Sequence, residues 1–267
     1  MYRSVLSIFL LFIVSISVSA QRSSPPSETE LQEITERGRE LAAYEVAMVQ
    51  ATAAVAQLKP PEGSIVRFIA RKTDIGWQVV FGQISESKDK FLITYEAIQI
   101  PGANFVAKKY KKPKEDTAFY LSAATAMDTA VLEFVAEKRP YNVAVLPGPS
   151  EQLYVYIMPA AVKPGVYPLG GDARYLMSKD GTKIVEKRYL HKSIIEFTSP
   201  VDPQQTGAGF HTAVLDDIPE DTDVYHVLSR KPSVPEWDAT NQYVFQIEPD
   251  GSIKYVTTRD QFLKKGQ

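Results

Sequence analysis

The chain has no cysteine among its 267 residues. No disulfide can form, no thiolate can bind a metal, and no thiol can act as a nucleophile. A lipid anchor through a cysteine is likewise excluded. Stability must come from packing, as suits a chain of this length and not a small disulfide scaffold. Histidine is scarce too, with only three residues. The formal net charge is −2, so no global field draws the chain to nucleic acid or to anionic membrane. No apolar run reaches the roughly 20 residues of a membrane span. The motifs of several enzyme classes are also missing: no G-x-S-x-G, no H-E-x-x-H, no phosphate-binding loop, no G-x-G-x-x-G and no EF-hand.

Residues 1–20 read as a cleavable secretory signal peptide. Arg3 gives a short basic start, Val5 to Val14 is almost wholly apolar, and Val18-Ser19-Ala20 fits a small-residue cleavage site. The expected destination is the periplasm or the extracellular space, with no transmembrane segment in the mature chain. Residues 21–27 form a polar, proline-containing spacer, expected to be disordered.

Hydrophobic content of 44% is enough for a proper core. Ser27-Glu28-Thr29-Glu30 is a capping box opening a helix from Glu28 to about Leu58. Leu31, Ile34, Leu41, Met48 and Val55 form its apolar stripe. Three strand-like runs follow, Ile65–Arg71, Gly76–Ile84 and Lys90–Ile100, the last with Phe91, Ile93 and Tyr95 on one face. Phe105 to Ala107 suggests a brief fourth strand, and Lys108 to Lys114 a basic loop. Asp116 is placed to cap a second helix, Thr117 to Glu137.

Beyond Pro140 the pattern is mostly strands. Asp180-Gly181 and Asp250-Gly251 each sit between alternating runs, a strong hairpin signal. A short helix is expected over Glu220 to Ser229. The fold class is therefore α+β: antiparallel sheets, two longer helices in the N-terminal half and a strand-rich C-terminal half. The divisions are a helix-sheet-helix unit at 28–140, a strand-rich unit at 141–258 and a charged, frayed tail at 259–267.

Three features could carry chemistry. Phe210-His211-Thr212-Ala213 ends an apolar strand, and Pro219-Glu220-Asp221-Thr222-Asp223 opens the short helix. With the hairpin at 243–256, residues 209–257 resemble the JAB/MPN (JAMM) metallo-isopeptidase family. Its signature is H-x-H, seven residues, then S-x-x-D, with a glutamate upstream. The resemblance implies zinc on His211 and Asp223 and a hydrolase. The chain departs from the pattern: Ala213 stands for the second histidine, Glu220 for the serine, and the spacing is one residue short. His226, one helical turn beyond Asp223, offers a third ligand. Equally, His211 can be a strand-end residue and Asp223 part of an acidic first turn.

Asp216, Asp217, Glu220, Asp221 and Asp223 could form an oxygen-ligand cation site, but a solvated acidic loop is the plainer reading. Lys108, Lys109, Lys111, Lys112 and Lys114 could meet a phosphate or an anionic head group, or simply keep a strand edge soluble. No catalytic constellation is complete and no cofactor is required. The leading expectation is an exported, non-catalytic protein that binds an envelope protein or small ligand. The alternative is a JAB-like zinc hydrolase using His211 and Asp223.

Overall fold

The computed structural model describes residues 22–100, 104–198 and 207–265. The expected signal peptide and Gln21 lie outside the described residues. The expected spacer enters them at Arg22, which pairs with Glu30, and its Pro26 is buried.

The capping box at Ser27 forms as expected. Its hydroxyl accepts from the Glu30 amide at 3.2 Å, and the Glu30 carboxylate accepts from the Ser27 amide at 2.9 Å. Helix α1 runs Glu28–Ala56 and buries all five residues of the expected stripe. Strands β1 (Arg67–Thr73), β2 (Gly76–Ile84), β3 (Phe91–Gln99) and β4 (Phe105–Asp116) then form an antiparallel meander in that order.

Two local expectations are corrected here. The face of β3 changes along its length: Phe91 and Ile93 enter one core, whereas Tyr95 and Ala97 enter the other. The cause is an irregularity opposite Gly82, where the register slips by one residue. A Cβ at Gly82 would lie 2.0 Å from the Leu92 carbonyl oxygen, so only glycine allows that approach. The lysine-rich stretch is not a loop. It is the outer half of β4, an edge strand paired to β3 from Gln99↔Phe105 to Phe91↔Asp116. Backbone pairing overrides the charge run because long lysines tolerate a solvent-facing edge.

Asp116 closes the start of the second helix. Its Oδ1 accepts from the amides of Ala118, Tyr120 and Leu121 at 2.9–3.2 Å. Helix α2 (Phe119–Glu133) ends earlier than expected. Phe134 turns extended and its ring packs on Tyr141, with centroids 5.0 Å apart. Strands β5 (Tyr141–Pro147), β6 (Leu153–Pro159), β7 (Val166–Leu169), β8 (Ala173–Met177) and β9 (Ile184–Tyr189) follow. β5, β6, β8 and β9 make a second antiparallel sheet, and β10 (Ile195–Thr198) pairs with β7.

Strand β11 (Gly209–Thr212), helix α3 (Asp221–Ser229), and strands β12 (Glu236–Ala239), β13 (Tyr243–Ile247) and β14 (Ile253–Thr258) complete a third sheet, ordered β11-β12-β13-β14. Both Asp-Gly hairpins form as expected. The C-terminal stretch is no frayed tail: Arg259–Lys265 forms helix α4, and Phe262 lies against Trp237 with centroids 5.9 Å apart.

The α+β class with antiparallel sheets is what the structure shows. Its core does not break at Pro140. One cluster joins Leu41, Tyr44 and Met48 of α1 with Phe81 and Tyr95 of the first sheet and Ala144, Leu146 and Tyr156 of the second. The opposite cluster joins α2 with Ile69, Val80, Val145, Val155 and Tyr175. The first two sheets thus share a middle layer, with α1 on one face and α2 on the other. The third sheet is fixed by α1 through α3: Ile34 meets Val224, Val227 and Ile247 in one apolar cluster.

Among the described residues no helix is long and apolar enough to cross a membrane.

Candidate metal centre

Five segments bring their side chains to one buried point. His191 follows β9, His211 lies in β11, Asp223 in the first turn of α3, and Asp238 in β12. Asp172, which precedes β8, stands behind His191. The parallel pairing of β11 with β12 sets His211 opposite Asp238 and Gly209 opposite Glu236. Alternation along a strand then turns Glu236 and Asp238 to the same side as His211.

The distances are short and share a centre. His191 Nε2 lies 2.9 Å from Asp223 Oδ1, and His211 Nε2 lies 3.2 Å from that same oxygen. His211 Nε2 is also 3.3 Å from Asp238 Oδ1. Among the described residues none of these four atoms has an aligned hydrogen-bond partner. Tetrahedral zinc with bonds of roughly 2.0 Å keeps its ligand atoms about 3.3 Å apart. The His191, His211 and Asp223 atoms lie within 4.8 Å of one another, and both histidines approach Asp223 Oδ1 at near that spacing. The side chains of His211, Asp223 and Asp238 are at most 1% exposed, and that of His191 is 7%.

The outer faces of the imidazoles are held. His191 Nδ1 is 2.9 Å from Asp172 Oδ1, and His211 Nδ1 is 2.7 Å from Glu236 Oε1. When the imidazole is neutral, a carboxylate there favours the proton on Nδ1 and turns the Nε2 lone pair inward, the arrangement seen behind metal-bound histidine. Asp223 is also anchored. Its Oδ2 accepts from the Glu220 amide at 2.7 Å, closing a capping box at the start of α3 and leaving Oδ1 for the centre. Arg230 pairs with Glu236 at 2.6 Å.

The buried ionisable groups of this cluster shift one another's titration. Burial works against a charged His211, but Asp223 outweighs it and pushes the imidazole up to about 10. His191 moves the same way: burial opposes its charge, and Asp172 and Asp223 overcome the burial. Burial and the neighbouring Asp223 push Asp238 up to about 7. Asp223 itself is held below its ordinary range, since the two histidines outweigh its burial.

The structure brings His211 and Asp223 together, as the motif suggested, but it places His226 elsewhere. His226 Nε2 faces Glu236 Oε2 at 3.6 Å, and its ring packs on Phe197, centroids 4.8 Å apart. Burial lowers its pKa to about 4. His191 takes the third position instead, and His191, His211 and Asp223 form the group able to hold an ion.

The acidic run is not a solvated loop. Asp217, Glu220, Asp221 and Asp223 are buried. Arg188 pairs with Asp216 and Glu220, and Asp221 binds Arg37, Arg174 and the Tyr156 hydroxyl. Arginines from α1, β8 and β9 therefore neutralise charges that local sequence left without partners. Two of the five lysines have partners on the strand face. Lys108 pairs with Glu96 and sits over the Tyr110 ring, while Lys109 faces the Tyr95 ring.

Comparison with family models, curated proteins and solved structures returns no match for this chain.

Proposed function

We propose that the chain is an exported, non-catalytic binding protein of the cell envelope whose fold is tied together by one buried zinc ion. The carrying observation is the convergence of three buried ligand atoms, from His191, His211 and Asp223, within 4.8 Å of one another, with Asp238 Oδ1 3.3 Å from His211 Nε2 beside them. Two buried carboxylates side by side repel strongly and lack solvation. A divalent cation between two neutral imidazoles and two carboxylates makes that group neutral. Nitrogen and oxygen donors without sulfur suit zinc, although cobalt or nickel would share the site. In this reading Asp238 closes the fourth position, and four protein ligands with almost no exposure would make a structural centre, because a catalytic zinc keeps one position for water.

A second reading keeps the JAB-like hydrolase, favoured by the donor set itself: two histidines and an aspartate, including His211 and Asp223. In that reading Asp238 would not bind the metal. It would take the proton from a zinc-bound water.

Equilibrium dialysis against micromolar zinc tests both. The proposal expects one equivalent per chain, lost in His191→Ala and His211→Ala and kept in His226→Ala. A protein that stays folded and takes up no zinc overturns both readings. Asp238→Ala separates them: a fourth ligand lost drops affinity by orders of magnitude, whereas a base lost leaves zinc in place.

A further inference from the structure

A cavity of about 430 Å³ lies under α1, where β1 and β5 come side by side as edge strands of the first two sheets. Its size falls within the range of small-molecule sites, roughly 300–1,000 Å³. Leu41, Tyr44 and Met48 of α1, Met127 of α2, Val143 of β5 and Met158 of β6 line its walls. Three of the chain's five methionines therefore face one space. Flexible thioethers adapt to apolar ligands of varied shape. The mouth is apolar as well: Val49 is 65% exposed, Val66 57% and Phe68 44%. Apolar side chains gathered at a surface opening mark a binding site more often than chance.

The charges in the wall select the ligand. Arg67 is already paired with Asp128. Glu45 accepts from the Tyr225 hydroxyl at 2.8 Å and from Ser229 at 3.4 Å. Among the described lining residues Arg67 is the one cation, its charge already met by Asp128, and Glu45 repels an anion. Asn142, exposed beside them, offers an amide to an uncharged polar group. Glu45, Asn142, Met158 and Tyr225 also border a smaller void of about 130 Å³ that reaches Asp172 and His226. The polar end of the cavity thus adjoins the outer partners of the metal centre.

We propose that this cavity binds one neutral, single-chain lipid-like molecule, its hydrocarbon under α1 and its hydroxyl, ester or amide head at Asn142. The proposal deepens the binding half of the proposed function and does not depend on the metal half. N-Phenyl-1-naphthylamine fluorescence, titrated with the full chain, tests it. One saturable site is expected, emptied by a monoacylglycerol at least tenfold more readily than by the fatty acid of equal length. Phe68→Asp and Val49→Asp, both at exposed positions, should each weaken the probe at least tenfold. Leu132→Asp, 85% exposed and outside the cavity, should leave it unchanged.

Non-saturable binding, equal loss in Leu132→Asp, or stronger displacement by the fatty acid would overturn the proposal. So would a dimer in light scattering that Phe68→Asp dissolves while the probe never binds, since the face would then belong to a second copy. Repeating the titration with and without zinc separates the two claims. Probe binding without zinc uptake sinks only the metal reading, and zinc uptake without probe binding sinks only this one.

Discussion

His211 divides its two ring nitrogens between two tasks. Nδ1 is fixed by Glu236, and Nε2 faces Asp223 and Asp238 with no hydrogen bond of its own. His191 repeats the pattern with Asp172 behind it. If those outer carboxylates set the ring orientation, Asp172→Asn and Glu236→Gln should keep zinc at one equivalent but weaken it about 10- to 100-fold, as competition with a chelating dye would report. Unchanged affinity would mean the rings are held by packing alone.

A second residue away from the centre carries its own pH dependence. Glu96 is buried at its carboxylate, yet Lys108, Tyr110 and Gln78 outweigh the burial and hold its pKa below the ordinary 4.5. Its stabilising effect is therefore complete above 4.5 and fades as pH falls through the lower folded value. Glu96→Gln should lower the urea midpoint at neutral pH and flatten the loss of stability on acidification. An acid limb as steep as in the parent chain would contradict that assignment.

At this scale the sequence revealed half of the centre. His211 and Asp223 could be named because a strand end and a helix start lay at suggestive spacing. His191 lay 20 residues upstream of His211 with no motif around it. Glu236 and Asp238 sit in Pro235-Glu236-Trp237-Asp238, where Pro232 and Pro235 just before it hide a four-residue strand. Two acids at alternate positions were the only available signal, and they gain meaning only from the parallel pairing with β11.

Among the elements, α1 and α3 carry the link between core and centre. A Cβ at Gly38 would lie 2.5 Å from Val224 Cβ and 2.6 Å from the Asp221 carbonyl oxygen. Alanine would ordinarily favour a helix by about 1 kcal/mol over glycine. Overpacking costs about 1–3 kcal/mol and should win here. Gly38→Ala is thus expected to lower the urea midpoint with an unchanged m value, and to weaken zinc by displacing the turn that holds Asp223. A stabilised variant would show that α3 can shift freely.

Helices and hairpins were legible because their signals are local: the Ser27 capping box, Asp116, and the two Asp-Gly turns. The lysine-rich part of β4 and the amphipathic end at Arg259–Lys265 were not. Each owes its form to a distant partner, β3 in one case and Trp237 in the other. The turned face of β3 belongs with them, since it depends on Gly82 in the neighbouring strand.

Over the whole molecule, the third sheet meets the rest through α1, α3 and the centre itself. His191 follows the second sheet, whereas His211 and Asp238 belong to the third and Asp223 to α3. A metal at that junction would add to the ties that Arg174, Arg188 and Tyr156 of the second sheet already make to Glu220 and Asp221 at the start of α3. Ligand at 1,000 times its dissociation constant stabilises a folded state by about 4 kcal/mol. Excess chelator should accordingly lower the melting temperature of zinc-loaded protein by several degrees, and should loosen the third sheet first in amide exchange. With no cysteine to form disulfides, such a tie would be valuable in a chain that is exported as proposed, because packing and metal would then be the available means of stabilisation.

The central claim is a closed zinc centre made by four side chains. Zinc-edge X-ray absorption of protein loaded with one equivalent tests it most directly. The account predicts four nitrogen and oxygen neighbours at about 2.0 Å, with the outer-shell pattern of two imidazoles. A spectrum of hydrated, six-coordinate zinc, or of a site with fewer than two imidazoles, would contradict it.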